Sequence, residues 1–447
     1  MSPRCALVRP RTEGTLWETE EPLGAEAICG FLRDHGVVCS VFDRLLGVTP
    51  AEIEAFSPDA VGFSLMTEQD APDALRLLQR LKKPGRIFFA GGLFVTREPE
   101  RCRALFPAGT RLIPGEGEGP VLSLLTGQAC EAPDPDGWAF ASRDDLPEYL
   151  ARGGVINLRT ARGCRGSCAF CTTPEDPYRR FRTRDVSLVA DEMALLASQG
   201  YPPVFNFTDD EFGDKERIFA LIAALKERGV RAAFSMELRP QTVCCIAPRE
   251  WAELHEGGLC RVFTGLENLD PETLYTWHKP TDPAALTEAV HACRAAGIAC
   301  ETGYILFHEH VTPETVIAQV YALHDAGLFS PKTALSRLVL YPGSELHAAA
   351  GISGASLCPL RPDTRRLYEN WQTLLEPYYR LWSDCAGRLP GAVCREFLGQ
   401  DGGQRGQLET ALAEINEISF GLITGKENPS DEKKEALYAL CRAAVRT

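Results

Sequence analysis

The chain has 447 residues, with 47 Lys and Arg against 61 Asp and Glu and a formal net charge of −14. That acidic balance argues against nucleic acid as a partner, because phosphate binding needs a basic face. No apolar run reaches the ~18–20 residues of a membrane span, and Met1-Ser2-Pro3-Arg4 lacks the apolar stretch of a signal peptide. The length predicts two or three domains, and 45% hydrophobic with 24% charged residues is the composition of a soluble globular protein. The 17 cysteines are mostly scattered, which suits reduced thiols in a cytoplasm.

The first 130 residues read as a doubly wound α/β domain. Cys5–Pro10 is a short apolar strand. A helical pattern follows from Pro22, with Ala27, Ile28, Phe31 and Leu32 on one face, and closes at His35-Gly36. Val37–Asp43, Ala60–Ser64 and Arg86–Gly92 read as further buried strands, with a helix over Ala71–Leu81 and a last helix after Gly115-Glu116-Gly117-Glu118. Strands alternating with helices predict a parallel sheet whose ligands lie at the carboxyl ends of its strands. The loop after Ser64 is bulky and acidic, with Met66, Glu68 and Asp70, and its carboxylates are candidates for binding a cationic substrate. Residues 131–155, rich in Pro, Asp and Gly, read as a linker.

A cysteine cluster follows, Cys164-Arg165-Gly166-Ser167-Cys168-Ala169-Phe170-Cys171. Three thiolates at CxxxCxxC spacing can hold one corner of a cubic iron–sulfur cluster and leave the fourth iron open. Zinc would want a fourth ligand nearby, and the nearest downstream histidine is His255. An odd trio in a tight loop is a poor disulfide framework.

With these residues the chain resembles the radical S-adenosylmethionine (SAM) superfamily. The resemblance implies a [4Fe-4S] cluster on Cys164, Cys168 and Cys171, with SAM chelated at the open iron. It also implies one-electron cleavage of SAM to methionine and a 5′-deoxyadenosyl radical. Asn157–Thr160 is similar to that family's first barrel strand, and Phe170 stands where the family stacks an aromatic on adenine. The Pro22-Leu23-Gly24 entry, the Gly91-Gly92 strand end and the 115–118 turn resemble the cobalamin-binding domain that precedes the barrel in one class of the superfamily. Two features tell against cobalamin itself. No Asp-x-His-x-x-Gly offers a lower cobalt ligand, and Leu93-Phe94-Val95 replaces the usual small polar turn.

The barrel is expected over 156–345, a partial (β/α)6 TIM-type arrangement, with a helical region over 346–447. Pro203–Phe207 delivers Thr208-Asp209-Asp210-Glu211 to a strand end, where chemistry usually sits. The resemblance implies that one of Asp209, Asp210 or Glu211 holds the SAM ammonium; another can cap the helix that begins near Asp214. In the strand 233–239, Glu237 and Arg239 alternate with apolar residues and point inward. The resemblance puts them beside SAM, the Arg fork suiting a carboxylate, and puts Glu267 along SAM in a positioning role. His308-Glu309-His310 is an incomplete metal site and reads as substrate contact or proton relay, so His308, Glu309 and His310 are the candidate catalytic residues. Ser336–Ser344 resembles the last barrel strand with its Pro-Gly turn. The aromatic segment Tyr368, Trp371, Tyr378, Tyr379, Trp382 has helical spacing and suits a helical lid over the barrel mouth.

The expected reaction is hydrogen abstraction from a polyhydroxylated, cationic aminosugar followed by loss of water. It is similar to that of the diol dehydratases of aminoglycoside biosynthesis, which work with a downstream reductase; the alternative is cobalamin-dependent methyl transfer. An electron donor of the flavodoxin or ferredoxin type is implied in either case.

Overall fold

The computed structural model describes residues 2–12, 20–173, 180–400, 403–426 and 428–446. The chain divides into two compact units, residues 1–160 with 182–188, and residues 161–181 with 189–447.

The first unit is built on a five-stranded parallel sheet: β1 (Arg4–Arg9), β2 (Val38–Asp43), β3 (Ala60–Ser64), β4 (Ile87–Gly91) and β5 (Arg111–Ile113), in the order β2-β1-β3-β4-β5. β1 is apolar on both faces because both are covered. Ala6 and Val8 enter one core with Val61, Phe63 and Leu77, and Cys5 and Leu7 enter the other with Leu32 and Val121. The order reverses direction between β1 and β3, which fixes the ligand crevice at the carboxyl ends of those strands. The expected strands and helices of this unit are present, with ends shifted by a residue or so.

The presumed linker differs. Residues 131–155 carry a helix, Leu146–Ala151, and pack onto the first unit. Tyr149 is fully buried and its hydroxyl donates to Asp43 at 2.5 Å, the same carboxylate that accepts from Arg9 Nε at 2.9 Å. Ser142 N–H donates to the Glu26 carbonyl at 3.0 Å. A Cβ on Gly30 would stand 2.1 Å from the Phe140 carbonyl oxygen, so the segment crosses helix α1 (Leu23–Asp34) where only glycine fits. Pro, Asp and Gly mark turns in this segment, and its buried aromatics tie it down.

In the second unit the parallel strands Val204–Phe207, Ala233–Glu237, Leu259–Glu267 and Ala299–Tyr304 stand side by side in chain order. Each is followed by helix, as a TIM-type wall requires. The expected last strand is reduced to Val339–Leu340, paired antiparallel with Ser356–Leu357, plus a single parallel bridge between Phe307 and Arg337. The fold is therefore α/β: a doubly wound domain, a partial barrel and a helical C-terminal region.

That helical region is not a lid over the mouth. Its long helix, Pro362–Phe397, begins beside the carboxyl side of the strands, where Phe307 packs edge-on against Tyr368 and Trp371. It ends against their amino ends, where Val393 and Cys394 bury Ala233 and Cys260. Tyr368, Trp371 and Tyr378 are thus buried packing residues, whereas Tyr379 is exposed. Among the described residues no helix is long and apolar enough to cross a membrane.

Candidate active site

The cysteine loop is held by its own backbone and by two buried acids. Cys171 N–H donates to the Cys168 carbonyl at 3.0 Å, Ala169 N–H to the Trp277 carbonyl at 2.9 Å, and Leu346 N–H to the Ala169 carbonyl at 3.0 Å. Glu211, fully buried, accepts from both Arg165 N–H (2.8 Å) and Arg165 Nε (2.7 Å). Asp209, also buried, accepts from Ala161 N–H at 2.8 Å. These two carboxylates fix the entry and the first turn of the loop. Of the three acids after Phe207, Asp210 lines the cavity that the cysteines open onto.

That cavity, about 190 Å³, is lined by Cys164, Cys168 and Cys171 together with Phe170, Asp210, Glu237, Arg239, Glu267 and Lys279. Among the described residues no three His, Cys, Asp or Glu side chains converge on one ion. Three thiols around a shared cavity suit a multi-atom cluster, three of whose irons would each take one cysteine sulfur. The loop also supplies sulfur-directed donors: Gly166 N–H to Cys164 Sγ at 3.3 Å and Thr173 N–H to Cys171 Sγ at 3.4 Å. Burial pushes the Cys164 thiol up to about 11 and raises Cys168 too, so bound iron is what makes thiolates of them. The donor set fits a three-cysteine cluster.

The cavity wall carries both signs of charge. Glu237 is the exposed end of an otherwise buried strand and opens onto the cavity. Burial first, and then the neighbouring Asp210 charge, push its carboxyl up to about 7. Glu267 sits at a bulge with φ of 65° and accepts from Lys279 Nζ at 3.2 Å. A Cβ on Gly265 would stand 2.0 Å from Glu267 Oε1 and 2.7 Å from Lys279 Nζ, so the ion pair lies directly over that glycine. Two carboxylates and the Arg239 fork at one wall suit the ammonium and carboxylate of an amino acid moiety. Lys279 escaped the sequence reading; it lies twelve residues beyond Glu267 in a His-Lys-Pro turn, with no periodic pattern to single it out.

His308, Glu309 and His310 do not line this cavity. His308 is buried behind the loop, edge-on to Trp277 at 5.0 Å, with neither ring nitrogen hydrogen-bonded among the described residues. Burial lowers its pKa to about 4. Glu309 accepts from Cys358 Sγ at 2.8 Å, and His310 is largely exposed.

Glu68 and Asp70 are also committed elsewhere. Asp70 accepts from Met66 N–H (2.7 Å), Thr67 N–H (2.9 Å) and the Thr12 hydroxyl, and Glu68 pairs with Arg101 at 2.5 Å. Asp70 is buried and shapes the loop after β3, while Glu68 is half-exposed in a surface ion pair. Leu93-Phe94-Val95 does not obstruct the crevice: it opens a short helix, with Phe94 and Val95 buried in the core. Gly92, at φ 100°, lies so close to Leu65 that a Cβ would stand 2.4 Å from its carbonyl oxygen. Thr96 Oγ1 donates to the Gly92 carbonyl at 2.9 Å and accepts from Gly115 N–H at 2.9 Å. The carboxyl edge is thus a close-drawn platform of small residues and backbone, with Met66 exposed upon it. This fits a broad apolar macrocycle contacted by main chain. The one histidine of the first unit, His35, lies at the far end of α1, so this unit offers cobalt no histidine.

Residues 158–343 match the family model of the radical SAM superfamily, and residues 15–125 match that of the B12 binding domain. The chain carries a B12-binding domain followed by a radical SAM domain. A radical SAM domain implies a [4Fe-4S] cluster and SAM, and the B12-binding domain supports cobalamin as a further cofactor.

Among curated proteins, an uncharacterized methyltransferase of Pyrococcus horikoshii is 25% identical over 356 residues, covering 70% of this chain and 76% of that protein. The bacteriochlorophyllide d C-12(1)-methyltransferase of Chlorobaculum tepidum is 27% identical over 309 residues, 64% of each chain. Among solved structures, the cobalamin-dependent S-adenosylmethionine radical enzyme OxsB with aqua-cobalamin bound superposes with a TM-score of 0.76. That alignment has 16% identity and covers 100% of this chain and 76% of that one. This last similarity is one of fold.

Proposed function

We propose that the protein is a cobalamin-dependent radical SAM methyltransferase. The observation that carries this reading is the pairing of a B12-binding domain with the three-cysteine cavity in one chain whose curated relatives include methyltransferases. The aminosugar dehydratase reading is the weaker one, because Asp70 is bound by its own loop, Glu309 is bonded to Cys358, and the curated relatives include methyltransferases.

Cobalamin, when bound, supplies a cobalt centre that can accept and release a methyl group. The chain's own residues divide the remaining work. Cys164, Cys168 and Cys171 would hold the cluster; Asp210 and Glu237 would face the SAM amino group, and Arg239 its carboxylate. Glu267 with Lys279 forms the wall over Gly265. Asp209 and Glu211 keep the loop in shape.

The test is reconstitution with iron, sulfide and hydroxocobalamin, followed by gel filtration and incubation with methyl-labelled SAM, a one-electron reductant and an extract of small molecules from the host. The expected result is one corrin retained per chain and label in a product other than methionine. A chain that retains no corrin, or leaves all label in SAM and methionine, would overturn the proposal.

A further inference from the structure

A second cavity, about 350 Å³, lies in the same unit toward the amino end of the strand Ala299–Tyr304, walled by the helices Pro362–Phe397 and Gln404–Thr424. It shares no lining residue with the cysteine cavity. Much of its wall is apolar, including Phe329, Trp382, Leu389 and Leu412.

Its charges are unusual for a protein of net −14. Arg294 directs its guanidinium at main-chain carbonyls, Nε and Nη2 to Cys300 at 3.1 and 3.0 Å and Nη1 to Gly327 at 2.9 Å, and has no carboxylate partner among the described residues. Lys332 Nζ stands 5.9 Å from the centre of the Trp382 ring and has no carboxylate partner among the described residues. The two lining carboxylates are already engaged, Glu301 with Arg261 at 3.1 Å and Glu409 with Arg405 at 2.8 Å.

We infer that this cavity binds a small organic anion with an apolar body, its acid group at Lys332 and Arg294 and its body against Trp382, Phe329 and Leu412. An anion answers the uncompensated cations, and an apolar body answers the wall. The volume of about 350 Å³ admits a medium-chain or aryl carboxylate.

The experiment is calorimetric titration of the cluster-loaded protein with sodium decanoate, with 1-decanol as the neutral comparison. The expected result is saturable binding of one decanoate per chain, at least tenfold tighter than decanol. Lys332→Gln, a change at an exposed side chain, should weaken decanoate at least fivefold. Leu412→Trp, which fills the cavity, should abolish binding while SAM binding stays as in the wild type. Absence of saturable binding, equal affinity for decanol, or unchanged affinity in Lys332→Gln would each overturn the assignment.

Discussion

Glu211 grips Arg165 twice, through the backbone N–H at 2.8 Å and through Nε at 2.7 Å, from a position with no solvent exposure. Arg165 follows the first cluster cysteine, so this clamp sets the direction in which Cys164 leaves the chain. Charge-assisted bonds of this kind contribute ~1.5–3 kcal/mol. Glu211→Ala is expected to lower iron loading severalfold, in parallel with the stability of the second unit. Iron and sulfide content per chain measures it; full loading with weakened SAM binding would make Glu211 a SAM ligand instead.

Asp210 is the acid of its trio that faces the cavity. Asp210→Ala should leave the cluster absorbance intact and weaken SAM by about tenfold, the equivalent of ~1.4 kcal/mol. Equilibrium dialysis with labelled SAM on the reconstituted variant decides the point.

Glu237 gives the site a pH dependence. Its carboxyl is pushed up to about 7, chiefly by burial and then by Asp210, so it is mostly neutral at pH 6 and mostly charged at pH 8. SAM affinity should therefore rise through pH 7 in the wild type, and the rise should flatten in Glu237→Gln. For the empty protein the sign is opposite. A carboxyl raised on folding contributes stability below its unfolded value near 4.5, and that contribution is lost as pH rises through 7. Glu237→Gln should thus gain stability over the wild type at pH 8 and not at pH 5, as urea midpoints will show.

His308 makes the reverse case. Burial lowers its pKa to about 4 from 6.5, so the unfolded chain takes up a proton that the folded one refuses. Stability should fall as pH drops from 6.5 toward 4, and His308→Phe should remove that component. Because both ring nitrogens are buried without partners, the phenyl replacement should be neutral or stabilising by about 1 kcal/mol at pH 7.5. SAM cleavage should persist; its loss would return His308 to the chemistry.

Gly92 tests the cobalamin platform. Alanine there would be strained by the positive φ and would press on the Leu65 carbonyl, costing about 1–3 kcal/mol. Gly92→Ala should retain less corrin after gel filtration while keeping a normal iron content.

The cysteine spacing, the alternation of buried strands with helices and the carboxylates after Phe207 were legible in the sequence, because each is a local pattern. Three cysteines in eight residues share a loop whatever the rest of the chain does, and β1 is apolar on both faces because both faces must be covered. Which of Asp209, Asp210 and Glu211 faces the cavity was not legible. Consecutive side chains after a strand fan out, and only the return of the cysteine loop past them turns two inward as clamps and leaves one at the wall. The same holds for Glu68 and Asp70, whose acidity invited a substrate until Arg101 and the loop's own N–H groups engaged them. It holds too for His308-Glu309-His310, which Trp277 and Cys358 hold outside the cysteine cavity. The run from Cys130 to Pro147 is turn-rich by composition, yet burial of Trp138, the approach of the Phe140 backbone to Gly30 and, just beyond it, the Tyr149 bond to Asp43 made it part of a domain. Local periodicity and motif spacing determined the elements and the cofactor class; long-range packing decided which polar side chains were left to face the chemistry, because a buried charge is available to a ligand only when no neighbour has already satisfied it.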